Sequence, residues 1–264
     1  MAVPGGEPGL SLAEASGPVE TVGYGQDAAQ VYDVRLPVAG TPARPTVVLI
    51  HGGFWRARYD RAHLAAMAQH LADTGHPTAV LEYRRPGMLG SRYPATLADL
   101  RDGVAAVARD PRLPEPRVAV GHSAGGQLAI WAASQPDAAG RLAAVVSLAG
   151  CVDLGLAAEL DLGDGAVADF LGGSPDELPR AYADADPVRL APCPVPVVLV
   201  HGEADPEVPI SVSESYLALA AGGSVSLVRL PGVGHYELID PTDPAFGSVT
   251  EAIDRSVDPV GAAG

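Results

Sequence analysis

The sequence predicts an α/β fold with a mostly parallel central sheet, and three observations support that prediction. Short, almost wholly apolar runs rich in Val, Leu and Ala recur along the chain, as is typical of strands buried on both faces of a parallel sheet. Amphipathic segments with helical periodicity lie between these runs, so that strands and helices alternate. The chain has 264 residues, of which 47% are hydrophobic, which is enough for one large domain with a sizeable core.

The predicted elements begin after a segment rich in Gly, Pro, Ala and Ser. We predict a mobile lead-in over residues 1–18 and a single domain over residues 19–264. Two modestly alternating segments, 19–24 and 30–36, predict antiparallel edge strands. The apolar runs that predict buried strands follow at 46–50, 78–83, 117–120, 144–148, 197–200 and 225–230.

Helices are predicted between these strands. Residues 60–73 place Leu64, Met67 and Leu71 on one face, because these residues are three and four positions apart. The longest irregular stretch, 151–196, lies between two buried strands. A connection of this length is often a lid or a binding loop, and a helix with turns and no part in substrate choice is the equal alternative. The other predicted helices lie at 94–109, 124–134, 212–221 and 245–257.

Charge and cysteine content exclude several classes of function. The formal net charge of −15 argues against nucleic acid and anionic membrane surfaces as partners, because both need basic patches. All 17 basic residues are arginines, which we attribute to composition. Cys151 and Cys193 make no disulfide scaffold and no C-x-x-C metal spacing, and the first residues carry no signal-peptide pattern. We therefore expect a cytoplasmic protein without a membrane span.

The sequence GHSAG at 121–125 predicts a nucleophilic serine, Ser123. It begins where a predicted strand ends and a predicted helix starts, which is the strand–turn–helix placement of a nucleophile elbow. There the serine hydroxyl stands at a helix N-terminus, which favours developing negative charge. The alternative is a glycine-rich turn that binds phosphate.

A serine hydroxyl needs a base to take its proton, and the base needs an acceptor that holds its tautomer. His235 lies just beyond the last predicted strand, where a loop can reach the elbow. Asp205 follows the preceding strand, and the chain order Ser123, Asp205, His235 is that of nucleophile, acid and base in α/β-hydrolases. Rivals for the acid are Glu203, Glu207 and Asp153.

The tetrahedral intermediate carries an oxyanion that preorganised N–H donors must stabilise. One expected donor is the backbone N–H of Ala124, the residue after the serine. The sequence HGGFW at 51–55, directly after a predicted strand, is the expected source of the second, because glycines allow a close approach to the substrate. The donor lies within Gly52, Gly53 and Phe54, with Gly53 or Phe54 favoured. The alternative is a simple strand-to-helix turn.

The stretches VVLIHGGFW, GHSAGGQLA, PVVLVHGEADPEVP and GVGHYELIDP resemble those of α/β-hydrolases of the HGG-motif esterase group. This group includes hormone-sensitive-lipase-like esterases, kynurenine formamidases and bacterial feruloyl or acetyl-xylan esterases. The resemblance implies an α/β-hydrolase fold, with a mostly parallel sheet of about eight strands and helices on both faces. It also supports the three site residues and the oxyanion motif named above. Phe54 replaces the third glycine of the lipase-like motif and no large N-terminal cap is visible, so the formamidase and feruloyl-esterase branches are the closer match.

We therefore predict a serine hydrolase that cleaves a small or medium carboxylic ester through an acyl-enzyme, without metal or organic cofactor. Trp55, His122 and Tyr236 flank the motifs and are candidates for substrate binding, with core packing as the alternative for the aromatic residues. The first alternative function is an aryl-formamidase acting on an amide such as N-formyl-kynurenine. The second is a non-catalytic binding module on the same fold. The expected partner is a small ester or amide, and the sequence leaves monomer and homodimer open.

Overall fold

The computed structural model describes residue 17 and residues 19–88, 91, 93–220 and 222–257. The predicted mobile lead-in, residues 1–18, lies outside this part of the chain except for Gly17, so its mobility stays a prediction. In the described residues, no helix combines the length and the apolar character needed to cross a membrane.

A central sheet organises the described chain. Its strands are β1 (Glu20–Gly23), β2 (Val31–Arg35), β3 (Thr46–Ile50), β4 (Thr78–Leu81), β5 (Arg117–His122), β6 (Ala144–Leu148), β7 (Val197–Gly202) and β8 (Val225–Leu230). They form one sheet in the order β1-β2-β4-β3-β5-β6-β7-β8. The β1–β2 and β2–β4 pairs are antiparallel, and all other neighbouring pairs are parallel. The predicted eight-stranded, mostly parallel sheet is thereby confirmed.

Burial differs between the centre and the edges of the sheet. Every residue of β3, β4, β5 and β6 is buried, because helices cover both faces of the sheet. The two edge strands, β1 and β8, contain exposed residues. β5 and β7 run two residues further than predicted, to His122 and Gly202, since these residues still pair with Leu148 and Leu230 of neighbouring strands.

Helices pack on both faces, as predicted. On one face, α1 and α9 bury Met67, Leu71 and Val249 against the sheet. On the other face, α2, α3 and α8 form a second core cluster. The helices of the described residues are α1 (Ala65–Asp73), α2 (Ala95–Arg109), α3 (Ala124–Ala133), α4 (Leu154–Glu159), α5 (Ala166–Leu171), α6 (Pro179–Ala185), α7 (Pro187–Leu190), α8 (Ser211–Leu219) and α9 (Phe246–Arg255). A 3₁₀ turn at Arg61–Leu64 precedes α1, so the helix predicted from residue 60 starts in two stages.

The segment 151–196 contains four short helices, whereas the sequence left open a lid or binding loop and a helix with turns. It contains α4 to α7, which are only four to seven residues long. Helices this short show fewer than two full turns of apolar periodicity, so the pattern does not reveal them. Val167, Phe170 and Tyr182 of this segment join the core cluster that contains α3.

The parallel strands β3, β5, β7 and β8 end at the same edge of the sheet. The loops that follow these strands carry the residues that the sequence predicts for the site. The fold therefore brings together four segments that are far apart in the chain, at the sheet edge where ligands bind in open α/β folds.

Candidate active site

Ser123 stands in the tight turn between β5 and α3, as the GHSAG sequence predicts. Its φ of 56° and ψ of −123° are values that a serine adopts only where the surrounding structure imposes them. A Cβ atom at Gly125 would overlap the carbonyl oxygen of Ile50 on β3, so α3 begins in direct contact with the sheet. This close packing imposes the strained turn and holds Ser123 at the N-terminus of α3.

Backbone hydrogen bonds fix the turn against β6. The Ser123 N–H donates to the Leu148 carbonyl at 2.9 Å, and the Ser123 carbonyl accepts from the N–H of Cys151 at 3.2 Å. Burial, reinforced by the charge on Asp205, raises the pKa of the Cys151 thiol to about 12, so this neighbour of the serine is a neutral thiol. The serine is therefore positioned by the backbone on both sides of the turn.

Asp205 and His235 form the second part of the site. The Nδ1 of His235 lies 2.7 Å from Oδ2 of Asp205, so an ionised carboxylate accepts the Nδ1–H and leaves Nε2 without a proton. The other carboxylate oxygen, Oδ1, accepts from the N–H groups of Glu207 and Val208 at 2.8 and 2.9 Å. The turn after β7 thus fixes one carboxylate oxygen and aims the other at the imidazole.

Two histidines keep Asp205 ionised. Burial alone would raise the pKa of its carboxyl, but hydrogen bonds from His201 and His235 outweigh burial and hold the pKa well below its usual range. His201 Nε2 is 3.5 Å from Oδ2 of Asp205 and also lies 2.8 Å from the Val208 carbonyl, to which it donates. Sequence reasoning gave His201 no role, and its position on the strand that leads to Asp205 was the available signal.

The rival acids lie in other roles or positions. Asp153 caps α4 by accepting from the Leu156 N–H at 2.9 Å, and its second oxygen accepts from Ser215 Oγ at 2.5 Å. Glu203 is exposed, and Glu207 contributes its backbone N–H to Asp205. Among the four carboxylates considered from sequence, Asp205 is the one beside His235.

His122 supports the loop that carries His235. Its Nε2–H donates to the main-chain carbonyl of His235 at 3.0 Å, and the two imidazole rings are 4.5 Å apart. Burial, with the nearby charges of His235 and His63, holds the pKa of His122 well below its usual range, so the ring is neutral. His122 thus contacts the cavity, where the sequence predicted it, and also fixes the neighbouring backbone.

The HGGFW loop lies directly on the elbow. A Cβ atom at Gly52 would be 2.6 Å from the His122 carbonyl oxygen and 2.8 Å from Ser123 Cβ. Phe54 and Trp55 continue the loop with φ values of 49° and 54°. Trp55 is buried, stacks on Phe170 at 4.8 Å and donates its Nε1–H to Gln127 at 3.1 Å. Trp55 is therefore a core residue and does not line the cavity, which is the alternative stated for it above.

A buried hydrogen-bond network holds this loop from below. His51 Nδ1 is 2.8 Å from the Gly52 carbonyl, to which it donates, and the Tyr83 hydroxyl donates to the His51 carbonyl at 2.6 Å. Because N–H and C=O point in opposite directions in a trans peptide, fixing the Gly52 carbonyl aims the Gly53 N–H away from His51. This geometry favours Gly53 within the predicted oxyanion segment.

Glu82 anchors that network. Its carboxylate lies 3.2 Å from His51 Nε2, accepts from the Arg61 N–H at 3.0 Å and pairs with Arg85. Burial would raise the pKa of Glu82, but hydrogen bonds and charge from His51 and Arg85 lower it to about 2. Sequence reasoning did not identify Glu82, Tyr83 or Arg85. The charged residues directly after the apolar strand β4 were the only available signal.

One cavity connects these parts. It has a volume of about 190 Å³, is open to solvent, and is bounded by Ser123, His122, His235, Tyr236, Gly53 and Phe54 from the predicted set. Gly52, Ala124, Trp55 and Asp205 lie behind its wall, where Ala124 is fully buried. Glu207, a rival for the acid, also lines the wall, as do Gly163 and Asp164 of the segment 151–196. The sequence did not suggest the other lining residues, which are Arg56, Arg58, Tyr59 and His63. Within the described part of the chain, no group of three His, Cys, Asp or Glu side chains could hold a metal ion.

Several solved structures share this fold. A truncated carbohydrate esterase from gut microbiota superimposes with a TM-score of 0.75 at 20% identity, covering 93% of this chain and 98% of the other. Esterase B from Lactobacillus rhamnosis gives 0.77 at 18% identity, covering 91% and 85%. A thermophilic esterase from the planctomycete Thermogutta terrifontis gives 0.69 at 20% identity, covering 92% of both chains. At these identities the similarity establishes the α/β fold.

The family of the chain is identified from its sequence rather than from its fold. The comparison with curated proteins gave no match. Residues 32–218, well over half of the chain, match the family described as BD-FAE, which has an α/β-hydrolase-like esterase domain. This confirms the resemblance drawn from the motifs, and the chain belongs to the BD-FAE family.

Proposed function

We propose that the protein hydrolyses carboxylic esters of small or medium acyl groups, with Ser123 as nucleophile, His235 as general base and acid, and Asp205 as the residue that orients His235. One observation carries the proposal. The hydrogen-bonded pair of His235 and Asp205 shares a cavity with a serine held in a strained turn at a helix N-terminus. Structural turns have no need of this combination, whereas acyl transfer requires each part.

The proposed reaction has two halves. Ser123 Oγ attacks the ester carbonyl carbon while His235 Nε2 takes the hydroxyl proton, and the resulting imidazolium protonates the departing alcohol. Water then attacks the acyl-enzyme, with His235 again taking and returning a proton, and the acid leaves. The ionised Asp205 stabilises the imidazolium in both halves, and no external reactant besides water is consumed.

Backbone N–H groups are proposed to stabilise the oxyanion. Ala124 supplies one N–H at the start of α3, and Gly53 supplies the other, because the Gly52 carbonyl is held by His51. Removing one such donor in serine hydrolases typically costs about 3 kcal/mol of transition-state stabilisation. The fixed position of the HGGFW loop on the elbow therefore matters as much as its sequence.

We also propose that the segment 151–196 forms a wall of the substrate site. Gly163 and Asp164 line the cavity, and Arg56 donates to their carbonyls at 2.5 and 3.3 Å. A Cβ atom at Gly163 would lie 2.7 Å from the ring of Phe54. The segment and the oxyanion loop are thus in direct contact, and movement of this wall would have to break these contacts.

We place the protein in the cytoplasm, as a single α/β-hydrolase domain. The two cysteines, Cys151 and Cys193, are buried free thiols, which suits a reducing compartment. The proposed partner is a small-molecule ester or amide substrate.

A labelling and turnover experiment tests the proposed function. A fluorophosphonate probe should label the protein at Ser123, and Ser123→Ala should lose both labelling and at least roughly a thousandfold of p-nitrophenyl butyrate turnover. Ser226→Ala, which removes an exposed serine on β8, is the matched control and should keep both. Failure of the probe to label would favour a binding module, and faster turnover of N-formyl-kynurenine than of any ester would favour an aryl-formamidase.

A further inference from the structure

Arg58 is a positively charged residue in the wall of the cavity that contains Ser123 and His235. Its side chain is exposed, and no carboxylate among the described residues lies within ion-pair distance of it. In an acid-rich chain where most described arginines have such a partner, an uncommitted guanidinium at the site is unusual. It is available to bind an anion that enters the cavity.

The neighbouring arginine serves a different purpose. Arg56 donates to the Gly163 carbonyl at 2.5 Å and lies 3.8 Å from a carboxylate oxygen of Asp169. Its donors are therefore directed at the 151–196 segment. Of the two arginines that line the cavity in the described part of the chain, Arg58 is thus the one that remains for a ligand.

Tyr59 fixes where that cation lies. The Arg58 guanidinium carbon is 4.8 Å from the centre of the Tyr59 ring, a cation–π distance. The same ring is in contact with Gly53 of the oxyanion loop, where an added Cβ atom would be 2.5 Å from Tyr59 Cγ. One aromatic ring therefore separates the guanidinium from the peptide proposed to hold the oxyanion.

The charge around this point is mixed. Asp164 and Glu207 also line the cavity, and the whole chain carries a net charge of −15. An anionic substrate would be repelled by that overall field, so its binding requires a local cation. A planar guanidinium matches the two oxygens of a carboxylate.

We propose that Arg58 binds a carboxylate carried by the substrate a few bonds from its scissile carbonyl, so that the preferred substrates are esters of anionic small molecules. This inference rests on the proposed ester hydrolysis, because it names the class of substrate for that same site. The carboxylate can belong to the acyl group or to the leaving group.

Two pairs of esters separate these sources. Mono-4-nitrophenyl adipate and 4-nitrophenyl hexanoate differ by a carboxylate on the acyl side, and 4-acetoxybenzoate and 4-acetoxybenzamide differ by one on the leaving group. For each pair, kcat/KM of the anionic ester is divided by that of the neutral ester. In the pair that carries the carboxylate on the side that Arg58 binds, this ratio should fall roughly tenfold in Arg58→Gln relative to wild type. A fall of this size is expected for loss of a charge-assisted hydrogen bond. The difference in this ratio between wild type and Arg58→Gln should shrink when NaCl is raised from about 0.05 M to about 0.5 M, because salt screens the charge of Arg58.

Arg109→Gln is the matched control. Arg109 is likewise exposed and lacks a described carboxylate partner, but it ends α2 and does not line the cavity. This variant removes the same charge and should keep the wild-type ratio. Equal ratios for wild type and Arg58→Gln in both pairs would overturn the inference while leaving ester hydrolysis in place. If wild type hydrolyses none of the four esters, the proposed function fails and the inference fails with it.

Discussion

At the scale of single residues, the carboxylate of Asp205 is divided between two tasks. Oδ1 accepts two backbone N–H groups of its own turn, and Oδ2 faces Nδ1 of His235 at 2.7 Å. Neither oxygen can rotate away without losing hydrogen bonds. The turn therefore fixes both the tautomer and the orientation of the imidazole, which is the role that the chain order predicts for Asp205.

Replacement of the Asp205 carboxylate should disturb the orientation of His235, and so lower activity, while the fold stays intact. In Asp205→Asn, we expect kcat/KM for p-nitrophenyl butyrate to fall at least roughly a thousandfold, because a neutral amide neither selects the Nδ1–H tautomer nor stabilises the imidazolium. Asp153→Asn, at the rival carboxylate that caps α4, should lose less than about tenfold. Steady-state kinetics with circular dichroism on both variants checks this, and the opposite ranking would reassign the acid to Asp153.

At the scale of elements, the elbow depends on α3 lying in contact with β3. In Gly125→Ala, the added methyl group would overlap the Ile50 carbonyl, so the helix must move away from the sheet. We expect the free energy of unfolding to fall by about 1–3 kcal/mol, as is typical when extra atoms are forced into a tightly packed site. Urea denaturation measures the change.

A second glycine supplies the control for this substitution. Gly247 lies in α9, and nothing stands within 4 Å of an added Cβ atom there. Gly247→Ala should therefore leave stability unchanged or raise it by up to about 1 kcal/mol, because alanine has the higher helix propensity. Equal destabilisation of both variants would show that the contact with β3 does not matter.

The elements also show how far sequence patterns reach. β3, β6 and β8 have the predicted boundaries, and the apolar runs of β3 and β8 are bounded by polar or turn residues on both sides. The individual short helices of 151–196 were not predicted, since four to seven residues carry too little periodicity. The contacts of this segment with Phe54 and Arg56 depend on tertiary packing, which no local pattern contains.

The residues of the candidate site also differ in whether the sequence could predict them. Short motifs in a fixed chain order were sufficient to select Ser123, Asp205 and His235. The support of the HGGFW loop by Glu82 could not be predicted, because a buried carboxylate and an exposed one look alike in sequence. Arg58 was treated as part of a compositional bias, and only its place in the cavity wall distinguishes it from the other arginines.

At the scale of the whole molecule, buried carboxylates make stability depend on pH in two directions. His51 and Arg85 lower the pKa of Glu82 to about 2, although burial alone would raise it. Hydrogen bonds from Arg112 lower the pKa of Asp110 to about 2. Such groups stabilise the fold above the pKa of the unfolded chain, and this contribution is lost as the pH falls through the folded pKa. Asp186 acts oppositely, because burial raises its pKa to about 6 and its ionised form weakens folding at neutral pH.

Comparison of Glu82→Gln with wild type isolates the contribution of Glu82 to the free energy of unfolding from the contributions of the other buried carboxylates. A carboxyl whose pKa falls from 4.5 to about 2 on folding contributes about 3 kcal/mol at neutral pH. Glu82→Gln should therefore unfold in urea with about 3 kcal/mol less free energy than wild type at pH 7. This difference in unfolding free energy should shrink steadily as the pH falls below about 4.5, because Glu82 in the unfolded wild-type chain then binds a proton.

The matched control is Glu251→Gln, which removes an exposed carboxylate that pairs with Arg255 along α9. Its unfolding free energy should stay within about 0.5 kcal/mol of wild type across the same pH range, because exposed pairs of this kind contribute little. A Glu82→Gln difference that stayed constant from pH 7 to pH 3 would mean that its cost comes from packing rather than charge. Glu82 would then support the HGGFW loop through side-chain packing, and its negative charge would have no part in holding His51.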